Sequence, residues 1–280
     1  MIRAVVCGAA GRMGGRIIAM IREASDFILA GAVEQPNSAS IGRDAGEVTG
    51  IGTLGIPIVG DLGAVVSEAQ VVIDFTAPQA AMIHLAIAAQ AKVPVVVGTT
   101  GFSVADLDKT REIGSSVPCV LSPNMSIGVN VLFKVLAQVA SALGEAYDVE
   151  IVETHHRFKK DAPSGTALKM AQVVAEALGR DLDATGIYGR KGLVGERGKE
   201  EIAIHALRAG DVVGDHTVIF GGMGERIEMT HRAHSRDNFA HGALRAAHWV
   251  IGRPPGLYDM QDVLGLKEAL KVDRLKAEGR

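Results

Sequence analysis

Short apolar runs, separated by stretches with helical spacing, make up the first part of the chain. In the helical stretches apolar residues recur every three or four positions, as in residues 79–91 and 104–113. Strands that alternate with helices of this length predict a parallel sheet covered by helices on both faces. The apolar runs that we interpret as its strands are residues 2–7, 28–33, 71–75, 93–97 and 117–121.

The spacing changes after about residue 125. A helical pattern leads into a strand-like run at residues 149–154, and three more such runs follow with little helix between them, at 202–207, 217–220 and 226–230. Glycine turns join these three runs, which predicts an open mixed or antiparallel sheet. The fold class we expect is therefore α/β, with an N-terminal Rossmann-like dinucleotide-binding domain and an α+β domain built on an open mixed sheet.

Composition narrows the classes of function. The 280 residues are 48% hydrophobic, which is ample for a sizeable core and suits two domains. A net charge of −3 gives no electrostatic case for nucleic acid, and no basic run indicates a membrane surface. We find no apolar run of membrane-spanning length and no signal peptide. We therefore expect a soluble, cytoplasmic protein that binds neither membrane nor nucleic acid.

The two cysteines have an ordinary structural explanation, and the nine histidines form no recognisable zinc motif. Cys7 and Cys119 lie in apolar strand-like runs, which indicates buried, reduced thiols. His231 and His234 are three residues apart, but no cysteine or carboxylate set has the spacing of a zinc site. We therefore predict no metal.

A glycine-rich turn follows the first strand. Gly8, Gly11 and Gly14 form G-x-x-G-x-x-G, a spacing variant of the dinucleotide fingerprint, and a helical pattern follows. Glu34 ends the second strand 20 residues after Gly14, where a carboxylate can accept hydrogen bonds from ribose hydroxyls. Glycine spacing alone is weak evidence, and a strand-end carboxylate alone is commonly just solvated. Strand, turn, helix and acid together predict a dinucleotide site.

Two further loops close strands of the predicted parallel sheet, at residues 98–101 and 122–125. Ligands of open parallel sheets bind beyond the carboxyl ends of the strands. Taken singly, each loop is more often only a connection. Their shared position nevertheless predicts contact with the nicotinamide half of the cofactor.

Residues 153–167 are the most informative segment. His155 and His156 precede several cations and a Pro-Ser-Gly-Thr turn that begins an amphipathic helix. Backbone N–H groups at a helix start attract anions, and lysine or arginine just upstream adds to that attraction. An isolated pair of histidines would suit a solvated strand end equally well. With the cations and the helix start, the pair predicts a site that binds a small polyanion and protonates it.

These motifs resemble the 4-hydroxy-tetrahydrodipicolinate reductases, the dihydrodipicolinate reductase family of the diaminopimelate branch of lysine biosynthesis. The segments that carry the resemblance are residues 155–167, 98–102, 124–130 and 208–216. The resemblance runs from the first strand to about Leu266. It implies a nicotinamide-dependent reduction of a cyclic unsaturated imine dicarboxylate with loss of water, in a homotetramer assembled through the open sheets.

The resemblance also implies roles for individual residues. His155 matches the proton donor and acceptor, and Lys159 matches a second proton-donating cation that binds substrate. The residues that match substrate contacts are His156, Ser164, Gly165 and Thr166. Those that match cofactor positions are Gly8, Ala9, Ala10, Gly11, Arg12, Met13, Glu34, Gly98, Thr99, Thr100, Ser122, Pro123, Asn124 and Met125.

The resemblance also implies that the two domains have different functions. We assign residues 1–126 and 237–280 to the dinucleotide-binding domain, and 127–236 to the substrate-binding and oligomerisation domain. The charge-rich stretch from Lys267 to the end is expected to be a surface helix or a frayed tail.

The residue after the strand-end acid departs from the pattern of many relatives. A basic residue there can hold the 2′-phosphate of NADP, but this chain has Gln35. Because Glu34 would repel that phosphate and Gln35 adds no charge, we predict that NADH serves at least as well as NADPH. Arg12 or Arg43 is the residue that would restore NADPH binding.

Two other functions compete with the reductase. A related dehydrogenase acting on an amino acid or semialdehyde needs another nucleophile or base, and Cys119 lies in a strand rather than an exposed loop. A catalytically silent dinucleotide sensor or assembly subunit has no need of both His155 and Lys159. Turnover of freshly prepared substrate separates these alternatives.

Overall fold

The computed structural model describes residues 1–267, so the predicted charged tail lies outside the described residues except for Lys267. The chain forms two compact units. One unit joins Met1–Ile127 to the part of the chain after Ser235, and the other is Gly128–Ser235. The functions that we assign to the two units stay predictions.

The first unit contains a parallel sheet of seven strands, in the order β12-β6-β5-β4-β1-β2-β3. The central strands β4 and β5 are wholly buried, and β1 is buried from Ala4 to Cys7, because continuous runs rich in valine, isoleucine and alanine leave no face for water. The strands are β1 Ile2–Cys7, β2 Phe27–Val33, β3 Ile58–Val59, β4 Val71–Asp74, β5 Val95–Val97, β6 Pro118–Leu121 and β12 Gly256–Tyr258.

Helices cover both faces of this sheet, as the alternating pattern predicts. The helices are α1 Arg12–Glu23, α2 Ala45–Thr49, α3 Pro78–Gln90, α4 Val104–Gly114, α8 Asp237–Val250 and α9 Met260–Val263. On one face, Ile17 of α1 and Ala243 of α8 pack with Val6 of β1. On the other, Leu85 of α3 packs with Val5. Neighbouring residues of one strand therefore enter two different cores.

The second unit is a mixed five-stranded sheet in the order β11-β10-β7-β9-β8. Strand β10 is antiparallel to both its neighbours, whereas β7, β9 and β8 run parallel. The strands are β7 Asp148–His155, β8 Gly186–Ile187, β9 Ile202–Arg208, β10 Gly214–Gly222 and β11 Glu225–Ala233, and the helices are α5 Ile127–Leu143, α6 Gly165–Leu178 and α7 Leu182–Thr185.

One face of this second sheet carries the core. Leu136 of α5 and Met170 of α6 pack against Ile151 and Val218 of the sheet. The opposite face carries charged and polar side chains, including Glu150 with Arg190. This difference between faces confirms the expected α/β fold with an open mixed sheet in its second part.

The predicted elements are present, and the differences concern length and small elements. Strands β10 and β11 are longer than the apolar runs at 217–220 and 226–230, because backbone pairing continues through polar residues on the open face. Several elements of two to five residues were not predicted, since they are too short to show a period. They are α2, α7, α9, β3, β8 and β12.

The expectation that no apolar run reaches membrane-spanning length was wrong for one helical stretch. Residues 127–146 are long and apolar enough by length and composition, with a mean hydropathy of 1.6. Within the chain, Leu136 and Ala140 of this stretch lie in the core of the second unit. Core helices pass the same test, so length and hydropathy are weak evidence for a membrane span.

Candidate active site

The glycine turn lies between β1 and α1, at the carboxyl end of the parallel sheet. Gly8 has a φ of +79°, and its N–H donates to the carbonyl of Val33. A Cβ on Gly14 would lie 2.0 Å from the carbonyl oxygen of Gly8, so only glycine lets the helix start this close to the turn. Gly11 precedes α1 and has no side chain to cap it. Such an uncapped start is a suitable anion site.

Glu34 lies against the same turn. Its carboxylate accepts hydrogen bonds from the N–H of Ala10 at 3.0 Å and of Gln35 at 2.9 Å. Glu34 lines a cavity of about 440 Å³ together with Gly8, Gly11 and Gln35. The turn and the acid predicted from the sequence therefore lie at one site. In the first turn of α1, Arg12 is exposed and Met13 is half-buried, while Ala9 is buried beside Gly8.

The two other loops lie beyond the ends of β5 and β6 but do not line this cavity. Gly98 touches the Phe75 ring so closely that a Cβ would come within 2.2 Å of it. Thr99 is buried and donates to the carbonyl of Thr76, whereas Thr100 is exposed. This first loop is packed on the strand-end residues of β4.

The second loop is held in part by its own hydrogen bonds. Ser122 Oγ donates to the carbonyl of Asn124, and Asn124 Oδ1 accepts from the N–H of Ser126. Pro123 is exposed, but Met125 is buried in the core beside Gly242 of α8. Of this loop, the exposed Pro123 and the half-buried Asn124 are the residues best placed to meet a ligand.

The cavity also holds residues that the sequence reasoning missed, including Asp61, Phe75, Thr76 and His84. The available signal was positional. Thr76 and Phe75 directly follow the buried β4, and strand ends of a parallel sheet share one edge. His84 lies on α3, where no sequence feature distinguishes it from an ordinary surface histidine.

A buried group beneath this edge has the composition of a metal site. Among the described residues, ligand atoms of Cys7, Asp74 and His84 lie within 4.8 Å of one another. The Asp74 carboxylate already accepts from the N–H of Thr76 at 2.8 Å and contacts His84 Nδ1 at 2.6 Å. Burial raises the pKa of the Cys7 thiol. A protonated thiol and an already hydrogen-bonded carboxylate give us no reason to assign an ion here.

The histidine segment follows the end of β7. Alternation along the strand turns Glu153 and His155 to the same, buried face. His155 Nδ1 lies 2.6 Å from a carboxylate oxygen of Glu153. Burial lowers the pKa of His155, and the adjacent Glu153 carboxylate offsets only part of that effect. The imidazole is therefore mainly neutral at pH 7.

The predicted substrate residues surround the start of α6. Ser164 caps this helix by accepting from the N–H of Ala167 at 3.2 Å. Gly165 follows, and a Cβ built on it would have no atom within 4 Å, so open space adjoins the helix start. Thr166 is half-buried in the same turn. The side chain of His156 has a buried Nδ1 without a hydrogen-bond partner among the described residues.

Lys159 is also on this segment, with its ammonium 2.8 Å from the Asp161 carboxylate. Asp161 is exposed and was not predicted as part of the site. This exposed carboxylate pairs with the ammonium of Lys159, whose own side chain is half-buried.

Two residues of segment 208–216, Arg208 and His216, also lie at this site, although the sequence predicted no role for them. Arg208 ends β9 directly opposite His155 and binds both Glu153 oxygens. His216 is buried on β10 opposite Glu153, with Nε2 at 3.0 Å from Ser164 Oγ. The sequence signal for both residues was a polar side chain within a strand-like segment. Strand register, which the sequence does not show, brings them to His155.

Comparisons with known proteins cover both units. The family described as "Dihydrodipicolinate reductase, N-terminus" matches residues 2–125, and its C-terminal counterpart matches residues 128–264. The chain is similar to curated proteins named 4-hydroxy-tetrahydrodipicolinate reductase. It is 60% identical to the one from Syntrophus aciditrophicus and 54% identical to the one from Citrifermentans bemidjiense, over 95% of this chain and 100% of each relative.

A solved structure is similar in fold. It is described as dipicolinate-bound dihydrodipicolinate reductase from Paenisporosarcina sp. TG-14, with a TM-score of 0.73 and 24% identity over 94% of this chain and 98% of that one. At this identity the likeness supports the fold.

Proposed function

Because this chain belongs to the dihydrodipicolinate reductase family, we propose that in the reduction of 4-hydroxy-tetrahydrodipicolinate its first unit binds the nicotinamide cofactor that supplies hydride and its second unit supplies the proton. The chain is an NAD(P)H-dependent oxidoreductase of lysine and diaminopimelate biosynthesis. The product is tetrahydrodipicolinate, and the hydroxyl leaves as water.

The observation that carries this assignment is that His155 lies close to Lys159 and is joined to the start of α6 through Glu153. A ring dicarboxylate needs cations and oriented N–H donors, and Lys159 with the α6 turn provides both. The unpartnered Nδ1 of His156 is a further donor or acceptor for a carboxylate. We therefore propose substrate contacts for His156, Ser164, Gly165 and Thr166.

The chemistry assigns the proton to His155. Hydride addition to the conjugated carbon leaves an electron pair shared by the neighbouring carbon and the ring nitrogen, and a proton must reach it. A bound dicarboxylate favours the protonated imidazole, so it counteracts the effect of burial on the pKa of His155. The acid is therefore formed when substrate arrives, and Lys159 assists as a second cation.

The first unit supports binding of a reduced nicotinamide dinucleotide, which supplies the hydride. The close packing of Gly14 on the Gly8 carbonyl suits a pyrophosphate-binding turn, and the Glu34 carboxylate suits the ribose hydroxyls. We propose cofactor contacts at Gly8 to Met13, Glu34, Gly98 to Thr100 and Ser122 to Met125. Thr99, Ser122 and Met125 are buried, so their contribution would be through backbone or packing.

The experiment is an assay of reduced-nicotinamide oxidation with freshly generated hydroxy-tetrahydrodipicolinate. His155→Ala should lower kcat by about 10²- to 10⁴-fold and raise KM less, as expected for a general acid. Lys159→Ala should damage both constants, whereas Lys169→Ala, an exposed cation on α6, is the matched control. Near-wild-type kcat in His155→Ala would contradict the assignment. Folded wild-type protein that binds NADH without turnover would favour the silent sensor.

We propose NADH as a cofactor at least as good as NADPH. Two acids, Glu34 and Asp61, line the cavity beside Gln35, so the 2′-phosphate would meet negative charge without compensation. The measurement is kcat/KM with each cofactor, and Gln35→Arg should shift the ratio toward NADPH. A strong NADPH preference in the wild type would refute the proposal and point to Arg12 or Arg43.

The partners that we propose are a small cyclic dicarboxylate and three further copies of the chain, in the cytoplasm. Within the described chain β11 is an edge strand of the open sheet, with Ile227 exposed. Such an edge, beside a polar open face, supports assembly through the sheets. Analytical ultracentrifugation should give a homotetramer, and a monomer at micromolar concentration would contradict it.

A further inference from the structure

Glu153 is a charged residue at the centre of the second unit, and its side chain is fully buried. One oxygen faces His155 Nδ1 at 2.6 Å and accepts from Arg208 Nη1 at 2.9 Å. The other accepts from the N–H of Ser164 and from Arg208 Nη2, both at 3.0 Å. A buried carboxylate with four donors is fully satisfied, so its position is sharply defined.

The charge of Glu153 is held in its ionised form. Burial raises the pKa of this carboxyl, but hydrogen bonds from Arg208 and His155 outweigh burial and lower it. An ionised carboxylate only accepts hydrogen bonds. The hydrogen of neutral His155 must therefore reside on Nδ1, which leaves the lone pair on Nε2.

Nε2 is then the nitrogen that exchanges a proton with a ligand. It lies over Gly214, where a Cβ would come within 3.0 Å. The charged and titratable groups that face His155 are Glu153 on its own strand, Arg208 on β9, His216 on β10 and Lys159 in the following loop. Of these only Glu153 is anionic, so it alone favours the imidazolium.

We propose that Glu153 is a positioning residue that sets the tautomer and direction of His155 and, through the same carboxylate, fixes the N-terminus of the substrate-binding helix α6. This inference rests on the proposed function. One carboxylate oxygen of Glu153 orients the imidazole of His155, and the other accepts the hydrogen bond from the Ser164 N–H. Arg208 keeps the carboxylate ionised and also donates to the carbonyl of Asp161 at 2.7 Å, beside Lys159.

The test is Glu153→Gln, with Glu150→Gln as the matched control. An amide has only one acceptor oxygen. In Glu153→Gln that oxygen should stay where the Ser164 N–H and Arg208 Nη2 donate to it. The amide NH₂ then faces His155 Nδ1 and forces the hydrogen to Nε2. Glu150 is on the same strand, also binds two arginines and a histidine, but lies on the opposite face.

The first readout needs no substrate. In protein labelled with ¹⁵N-histidine, the His155 signals, assigned with His155→Gln, should show Nδ1–H in the wild type and in Glu150→Gln. Glu153→Gln should show Nε2–H. Wild type with Nε2–H would overturn the proposal, even if Glu153→Gln fails to fold. So would an unchanged tautomer in folded Glu153→Gln.

The second readout is the pH profile of turnover. Glu153→Gln should lower kcat by at least about 10-fold, as loss of the carboxylate that orients a functional histidine does. The substitution removes the anion that favours the imidazolium of His155. As the pH is raised, the activity of Glu153→Gln should therefore begin to fall at a lower pH than that of the wild type. A kcat loss with an unmoved pH profile would indicate a merely structural role and refute the proposal. Failure of wild-type turnover would refute the proposed function, while the tautomer still decides the role of Glu153.

Discussion

Acid should destabilise this protein through His216 well before its carboxylates are protonated. The side chain of His216 is buried, with its ring 5.1 Å from that of His155. Burial, followed by the nearby His155, lowers the pKa of His216 to about 3. An unfolded chain has an ordinary histidine pKa of about 6.5. Between these values the unfolded chain binds the proton and the folded chain does not, so stability falls as the pH drops below about 6.5.

The size of the effect follows from the shift. Each pH unit inside the window costs about 1.4 kcal/mol for one histidine. Lowering the pH from 7 to 5 should therefore remove about 2 kcal/mol of unfolding free energy through His216 alone. Burial also lowers the pKa of His155 and His231, which adds to the loss. Glu150, with a pKa of about 2, contributes stability that is lost only as the pH falls below about 4.5, which is outside the range from pH 7 to pH 5.

Urea unfolding at pH 7, 6 and 5, followed by circular dichroism at fixed protein concentration, measures the effect. His216→Gln keeps an amide near Ser164 but cannot bind the proton, so its stability should fall about 2 kcal/mol less than that of the wild type over this range. His234→Gln, at an exposed histidine, is the control. Equal pH slopes for wild type and His216→Gln would refute the reasoning.

Three further substitutions test the site and its surroundings. Gly14→Ala would place a Cβ 2.0 Å from the Gly8 carbonyl oxygen, so we expect NADH affinity by calorimetry to fall at least about tenfold. Gly214→Ala crowds His155 Nε2 at 3.0 Å and should lower kcat by about 10- to 100-fold while thermal unfolding changes little; an unchanged kcat would mean that Nε2 is not the reacting atom. Arg16→Ala removes an exposed ion pair with Asp237 and should cost no more than about 1 kcal/mol in urea unfolding; a larger loss would contradict a surface role.

Much of the fold could be predicted because the physical signals are local. Short, valine-rich apolar runs such as Val95–Val97 favour buried strands, and their alternation with helical stripes predicts the parallel sheet. The glycine turn and Glu34 were predictable for the same reason, since each follows directly from a strand end. Short elements such as α9 contain too few residues to show a hydrophobic period. The polar parts of β10 and β11 lack the apolar residues by which a strand is recognised.

The sequence by itself determined the family, the two kinds of sheet and the segment that carries His155 and Lys159. Only the tertiary structure decided which side chains meet there. Glu153 is two residues from His155, but Arg208 and His216 reach it through strand pairing across more than fifty residues. Register is set by the packing of whole faces against α5 and α6, so no local pattern reveals it. The histidine segment was therefore visible in the sequence, and the carboxylate that directs it became visible only in the fold.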